Sequence, residues 1–468
     1  MNHSSPLRRL RCGIGFLFAL GFSLSATRAA NVVAIGDSLT AEYDTLPETP
    51  GFSLEGTAYA EVTVAGWESM SWVEVLARVQ RAQFNFGGNK KWPDFWSVPR
   101  LTGFEYNWGI PGIYAAQYKD FVTSSMWSNF GYYLLRQPLE DQLKRKAQRV
   151  VVWLGTNEFR AKYGALYDGG DSTALINGLI DDLGRILDFV KKKNSRLQIV
   201  VATIPDVGAS PDKQAAHPDP LLRARVTAAI VEANRRIALL AANKDVGLAD
   251  TYDRTARLIR GEPLYFGAVE IINDLDPDND PHYAFTRDGL HPNTPLQIEN
   301  ARAIIRAFNA KFKAGLPALT DAQALTLLGI NMHEPYYDWL ASFGITDRSF
   351  IADDEGDGLT RLVEFTFGLD PTTPEASPVA LFPSPDHSGE LRVEYSPVLE
   401  RARYVRVLPQ WSVDRVVWRN LPAAQVVTNA GVVSATFPAA SGPFHRLKVA
   451  TIPPDGSKVS LYSILSID

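Results

Sequence analysis

Between residues 31 and 315, short apolar runs rich in β-branched side chains alternate with longer runs of helical periodicity. The apolar runs are Val32–Ile35, Phe104–Trp108, Val150–Leu154, Leu197–Thr203 and Val246–Ala249. Helical spacing marks Trp72–Gln83, Ser172–Lys193, Leu221–Lys244 and Pro295–Lys313. Strand–helix alternation of this kind predicts an α/β fold, a parallel sheet covered by helices on both faces. It also says where to look for chemistry, because open parallel sheets gather their ligands at the carboxyl ends of the strands.

The first 29 residues read as a segment outside the fold. Arg8, Arg9 and Arg11 precede an apolar stretch, Gly13–Leu24, that is too short for a stable membrane span. Thr27-Arg28-Ala29 then offers the small residues a signal peptidase reads. The expectation is a secretory signal cleaved near Ala30, an extracellular or periplasmic product, and no membrane anchor afterwards. Cys12, the single cysteine of the 468 residues, leaves with that signal. The mature chain is then without disulfides and must rely on its core and on metal. A net charge of −5 and the lack of a basic stripe argue against a nucleic-acid partner.

The catalytic unit is expected over 30–315. It carries two insertions: the aromatic-rich Phe84–Leu101, with Phe84, Phe86, Trp92, Phe95 and Trp96, and the acidic, proline-broken Leu264–Phe285. Both are placed where they could rim a cleft. A helical segment with an acidic loop follows over 316–371, then a Pro/Thr/Ser-rich linker over 372–389. The runs Leu391–Tyr395, Tyr404–Leu408, Val432–Phe437 and Phe444–Ala450 predict a small β-sandwich over 390–468.

The first apolar run ends in Gly36-Asp37-Ser38, and Asp288-Gly289-Leu290-His291 lies near the end of the catalytic unit. Acyl transfer by serine needs a base to take the hydroxyl proton, an acid to fix that base's tautomer, and donors for the oxyanion. Ser38, His291 and Asp288 supply the first three. Candidate donors follow the second and third runs, in Asn107 to Gly112 and in Gly155-Thr156-Asn157. Of the other histidines in this unit, His217 has no acid at a useful spacing, and His282 reads as a loop residue on the cleft rim.

Four segments in order, Gly36-Asp37-Ser38-Leu39, Asn107–Gly112, Gly155-Thr156-Asn157 and Asp288-Gly289-Leu290-His291-Pro292, resemble the blocks of the GDSL, or SGNH, serine esterases and lipases. The resemblance implies a flavodoxin-like three-layer α/β/α domain with a five-stranded parallel sheet. It makes Ser38 the nucleophile, with Asp288 and His291 completing the triad. The oxyanion donors it implies are the N–H groups of Ser38 and Gly112 and the amide of Asn157. One departure stands out: Glu158 follows the third-block asparagine, where the family usually has aspartate. No cofactor is implied for catalysis. The expected partner is an ester substrate, read as a short acyl group, acetyl, on polysaccharide. A longer-chain lipase, a thioesterase and a non-catalytic carbohydrate-binding or adhesion protein are the competing readings.

Asp353 to Glu364 has a second pattern. Oxygen side chains fall at places 1, 3 and 5, a glycine at 6 and a glutamate at 12, the spacing of an EF-hand loop. The expected calcium ligands are Asp353, Glu355, Asp357, the Leu359 carbonyl and Glu364, in a structural role at the junction of the catalytic and β-domains. Glu355 at place 3 and Arg361 at place 9 depart from the ideal.

Overall fold

The computed structural model describes residues 29–43, 63–64, 67–89, 103–277, 280–383, 390–455 and 461–467. The segment read as a signal and the aromatics Trp92, Phe95 and Trp96 lie outside the described residues.

The central sheet is parallel throughout. Its strands are β1 (Ala30–Gly36), β2 (Phe84–Asn85), β3 (Asn107–Gly109), β4 (Arg149–Trp153), β5 (Gln198–Ala202) and β6 (Gly247–Ala249). β1 pairs with β4 on one side, and the sheet continues through β5 to β6. On its other side β1 pairs first with β2, at Ala30 and Asn31, and then with β3, at Ala34 to Gly36. The edge position is thus one strand's length made from two short pieces. The resulting five positions follow the doubly wound, flavodoxin-like order.

Burial explains why these strands read as unbroken apolar runs. Val33 and Ile35 pack into one core with Val150, Val152, Ile199 and Val201. Val32 and Ala34 face the opposite core with Val151, Trp153, Val200 and Ala202. Both faces of each strand are covered, so neither parity can be polar. Each buried Val or Ile contributes about 1.5–3 kcal/mol relative to exposure. Helices α1 (Trp72–Val79), α2 (Ala115–Thr123), α3 (Thr156–Tyr167), α4 (Thr173–Lys193), α5 (Pro220–Asn243) and α6 (Thr294–Phe312) supply the covering layers.

The aromatic insertion is only partly what the sequence suggested. Phe84 opens β2 rather than rimming a cleft, and Phe84 and Phe86 are buried and stacked 6.3 Å apart. The acidic insertion forms β7 (Leu264–Phe266), β8 (Val269–Leu275) and β9 (Tyr283–Phe285), a separate three-stranded sheet.

The segment 316–371 is divided between two cores. Helix α7 (Asp321–Leu328) packs on the catalytic unit through Ala324, Leu325 and Leu328. Helices α8 (Glu334–Ser342) and α9 (Arg361–Phe367) instead share a core with the C-terminal strands, through Tyr336, Leu340, Leu362, Val363 and Phe365. Those strands are β10 (Val379–Pro383), β11 (Leu391–Tyr395), β12 (Val405–Ser412), β13 (Arg419–Asn420), β14 (Val426–Asn429), β15 (Val432–Phe437), β16 (Phe444–Thr451) and β17 (Tyr462–Ser466). They form two antiparallel four-stranded sheets, β10-β11-β15-β14 and β13-β12-β16-β17. The expected linker is corrected here: β10 lies inside it and pairs with β11 over its full length. An edge position lets it carry Pro383 without losing a ladder bond. Among the described residues, no helix is long and apolar enough to cross a membrane.

Candidate active site

Ser38 lies two residues past the end of β1. A Cβ on Gly36 would stand 2.1 Å from the Thr40 hydroxyl and 2.9 Å from the Trp153 carbonyl, so only glycine lets the chain turn there. Asp37 holds the turn. Its carbonyl accepts from the N–H groups of Thr40 and Ala41, and its Oδ1 accepts from the N–H of Leu39 at 2.9 Å. Asp37 is buried, and loss of solvation pushes its carboxyl up to about 6.

His291 comes from the loop between β9 and α6. Thr286 N–H donates to the His291 carbonyl, closing the loop at its neck. Inside it, Asp288 Oδ1 accepts from the Thr286 hydroxyl at 2.7 Å and from the N–H groups of Leu290 and His291, each at 2.9 Å. Asp288 Oδ2 is left facing His291 Nδ1 at 2.5 Å. Burial opposes charge on Asp288. The adjacent imidazole and these donors outweigh it and hold the carboxyl below the usual carboxylate range. An ionised Asp288 can only accept, so Nδ1 carries the proton and Nε2 has a lone pair. His291 Nε2 lies 3.0 Å from Ser38 Oγ. Tyr43 meets the imidazole edge-on at 6.1 Å between centroids, and Gln297 holds the Tyr43 hydroxyl at 2.7 Å.

Three candidate donors lie at the ends of neighbouring strands. Neither the N–H of Ser38 nor that of Gly112 has a hydrogen-bond partner among the described residues. Gly112 adopts φ +73°, which favours glycine and sets the turn after β3. Asn157, in the first turn of α3, donates to the Ile113 carbonyl at 3.0 Å and so joins the loop after β4 to the loop after β3. Glu158 reinforces the same join. Its Oε1 accepts from the N–H of Ala115 at 2.5 Å, where α2 begins. The longer side chain in place of aspartate is therefore engaged as a brace.

The family described as "GDSL-like Lipase/Acylhydrolase" matches residues 32–304, more than half of the chain. The chain belongs to that family. This GDSL hydrolase acts on ester bonds. Similar solved structures include the family 3 carbohydrate esterase of Clostridium thermocellum, 15% identical, with a TM-score of 0.31 over 62% of this chain and 100% of that one. The phospholipase A1 of Streptomyces albidoflavus is 15% identical, with a TM-score of 0.32 over 60% and 99%. The extracellular lipase of Streptomyces rimosus is 16% identical, with a TM-score of 0.30 over 49% and 82%. No curated protein matches the chain.

Ser38, His291 and Asn157 line one cleft of the GDSL hydrolase, enclosing about 710 Å³ that is partly open to solvent. Its apolar lining includes Leu39, Trp153, Phe285 and Leu296; its polar lining includes Ser210, Thr251, Thr255 and Asn300. Asp206 and Arg254 also line it. Burial raises the Asp206 carboxyl and lowers the Arg254 guanidinium from their ordinary values. Among the described residues Arg254 has no ion-pair or hydrogen-bond partner. No motif marks Asp206, Thr251 or Arg254. Yet they sit just after β5 and β6, so the strand-end rule that selected Ser38 and Asn157 applied equally to them.

The remaining histidines are placed elsewhere. His217 packs between Tyr163 and Tyr167, each 4.8 Å away. His282 is not on the cleft rim. Its Nδ1 meets Asp280 at 2.6 Å and its Nε2 meets Glu334 of α8 at 2.8 Å, which ties the catalytic unit to the C-terminal one.

Proposed function

We propose that this GDSL hydrolase works as a serine esterase through an acyl-enzyme, on acetyl esters of carbohydrate, outside the cytoplasm. The observation that carries the mechanism is the unbroken line from Asp288 Oδ2 through His291 to Ser38 Oγ. In the proposed sequence, His291 Nε2 takes the hydroxyl proton as Ser38 Oγ attacks the ester carbonyl. Asp288 stabilises the imidazolium that forms. The N–H groups of Ser38 and Gly112 and the amide of Asn157 receive the oxyanion. His291 returns its proton to the leaving alcohol. A water activated by the same imidazole then releases the acid and frees Ser38.

The carbohydrate reading is supported by the hydroxyl and amide groups among the residues that line the cleft, which suit a polyhydroxylated alcohol. The placement outside the cytoplasm is supported by the signal-like first 29 residues. The test is a p-nitrophenyl ester series from acetyl to dodecanoyl, with acetate release from acetylated glycans measured alongside. Acetyl should turn over fastest, and Ser38→Ala should abolish hydrolysis in a chain with unchanged circular dichroism. Faster turnover of dodecanoyl esters without acetate release would make the apolar lining an acyl-chain site, that of a lipase. Ser38→Ala activity within tenfold of the parent would place the nucleophile elsewhere.

A further inference from the structure

The loop before α9 gathers three carboxylates around one point, and a fourth, Glu364, stands against Glu355. Carboxylate oxygens of Asp353, Glu355 and Asp357 lie within 4.8 Å of one another. Glu364 lies in the first turn of α9, beside Glu355. A surface cluster of acids would mean little, since such groups are ordinarily solvated. Glu364 is different: it is 0% exposed, and neither of its oxygens has a hydrogen-bond partner among the described residues. The same holds for both oxygens of Glu355, which are closed off from solvent. The four oxygens of Glu355 and Glu364 are thus shut off from solvent with no donor for any of them among the described residues. An unpaired carboxylate in such a place is among the costliest groups a fold can hold.

The rest of the loop is organised to keep those oxygens in place. Asp353 accepts from the N–H groups of Gly356 and Gly358, at 2.8 and 3.0 Å. Asp357 accepts from Leu359 N–H and Glu375 N–H, each at 2.7 Å. Arg361, the residue that departs from an EF-hand at place 9, turns away from the cluster. It pairs with Asp354 at 2.6 Å and Asp347 at 2.8 Å. Its charge is therefore spent on other acids.

We propose that Asp353, Glu355, Asp357, the Leu359 carbonyl and Glu364 form a calcium site that fastens α9 to the loop preceding it. The donor set is all oxygen, without imidazole or thiolate, which selects a hard cation over zinc. A glutamate at place 12 and flexible carboxylates suit calcium's six to eight ligands better than the strict octahedron of magnesium. The staple acts within the C-terminal unit rather than at the junction that the sequence suggested. Every residue of α9 is buried, and Leu362, Val363 and Phe365 belong to the core shared with the β-strands. Thr360 meets Ser463 of β17 at 2.5 Å. The proposal does not depend on what the cleft hydrolyses.

The experiment is thermal unfolding of the full chain in calcium, in magnesium and in chelator, with bound calcium counted by elemental analysis after dialysis. The wild type should retain about one calcium per chain. Its C-terminal transition should rise by roughly 10 °C at a hundredfold excess over Kd. Glu364→Gln should lose most of the calcium response. In chelator, however, it should unfold at or above the wild-type temperature, because the amide removes a buried charge. Glu355→Gln, which loses no hydrogen bond, should weaken calcium binding at least tenfold and is the second variant if the first does not fold. Hydrolysis of a small soluble ester should be unchanged in both. No bound calcium and no calcium shift would overturn the proposal. So would a Glu364→Gln rise of equal size in calcium and in chelator, and an equal shift with magnesium would overturn the choice of metal.

Discussion

Asn157 gives one of its two amide hydrogens to the Ile113 carbonyl, at 3.0 Å. That bond fixes the plane of the amide, and the second hydrogen is left to serve the cleft. A donor held this way acts on charge that develops during reaction, at no cost of reorganisation. Asn157→Ala should lower kcat by about 10²–10³ with little change in KM. Steady-state kinetics on a soluble acetyl ester decides it: a loss confined to KM would make Asn157 a substrate-binding residue.

Asp288 is saturated on Oδ1 by Thr286, Leu290 and His291 N–H, so its Oδ2 has one direction to point. Asp288→Asn keeps the shape of the loop but can present a donor to Nδ1, favouring the imidazole tautomer that cannot accept the Ser38 proton. kcat should fall by about 10³–10⁴ while the unfolding temperature moves little. A drop of less than tenfold would mean that another group orients His291.

Glu158 carries a pH signature. Burial pushes its carboxyl up to about 7, even though Ala115 N–H bonds to it. A raised carboxyl stabilises the fold most below its ordinary value of about 4.5, and that contribution is lost as pH climbs toward 7. Glu158→Gln keeps the acceptor and removes the titration. Its unfolding temperature should therefore gain on the wild type between pH 4.5 and 7. Parallel curves across that window would show that Glu158 stays ionised in the fold.

His282 titrates in the other sense of charge. Burial works against its cation, but Asp280 and Glu334 outweigh it and raise the imidazole above its ordinary value. The contribution of this bridge is full below about pH 6.5 and fades as pH rises through the raised value. Differential scanning calorimetry of His282→Gln against wild type, from pH 5 to 9, should show the wild-type advantage at the acid end only. An advantage that grows toward alkaline pH would contradict the assigned charge.

Legibility tracked burial. β1, β4 and β5 were readable because both of their faces are covered, which forces uninterrupted apolar runs. β2 was not, since two residues, Phe84 and Asn85, leave no period to detect. The second strand was placed at Phe104–Trp108 but begins only at Asn107, because Tyr106 and the residues before it turn before the ladder starts. β10 was hidden in a proline- and serine-rich stretch that an edge strand tolerates. In the cleft, Ser38, Asn157, Asp288 and His291 stood out through their motifs. Arg254 and Asp206 carry no local pattern, and only the sheet's topology brings them to the same place.

Ser38 and His291 meet across 253 residues of chain. The strand that leads into Ser38 leaves the ribosome well before the loop that carries His291. At roughly 5–20 residues per second, ten seconds to a minute separate the two. Throughout that interval the hydroxyl is an ordinary alcohol. A chain cut short before Asp288 carries Ser38 without either of the partners that it meets in the folded protein.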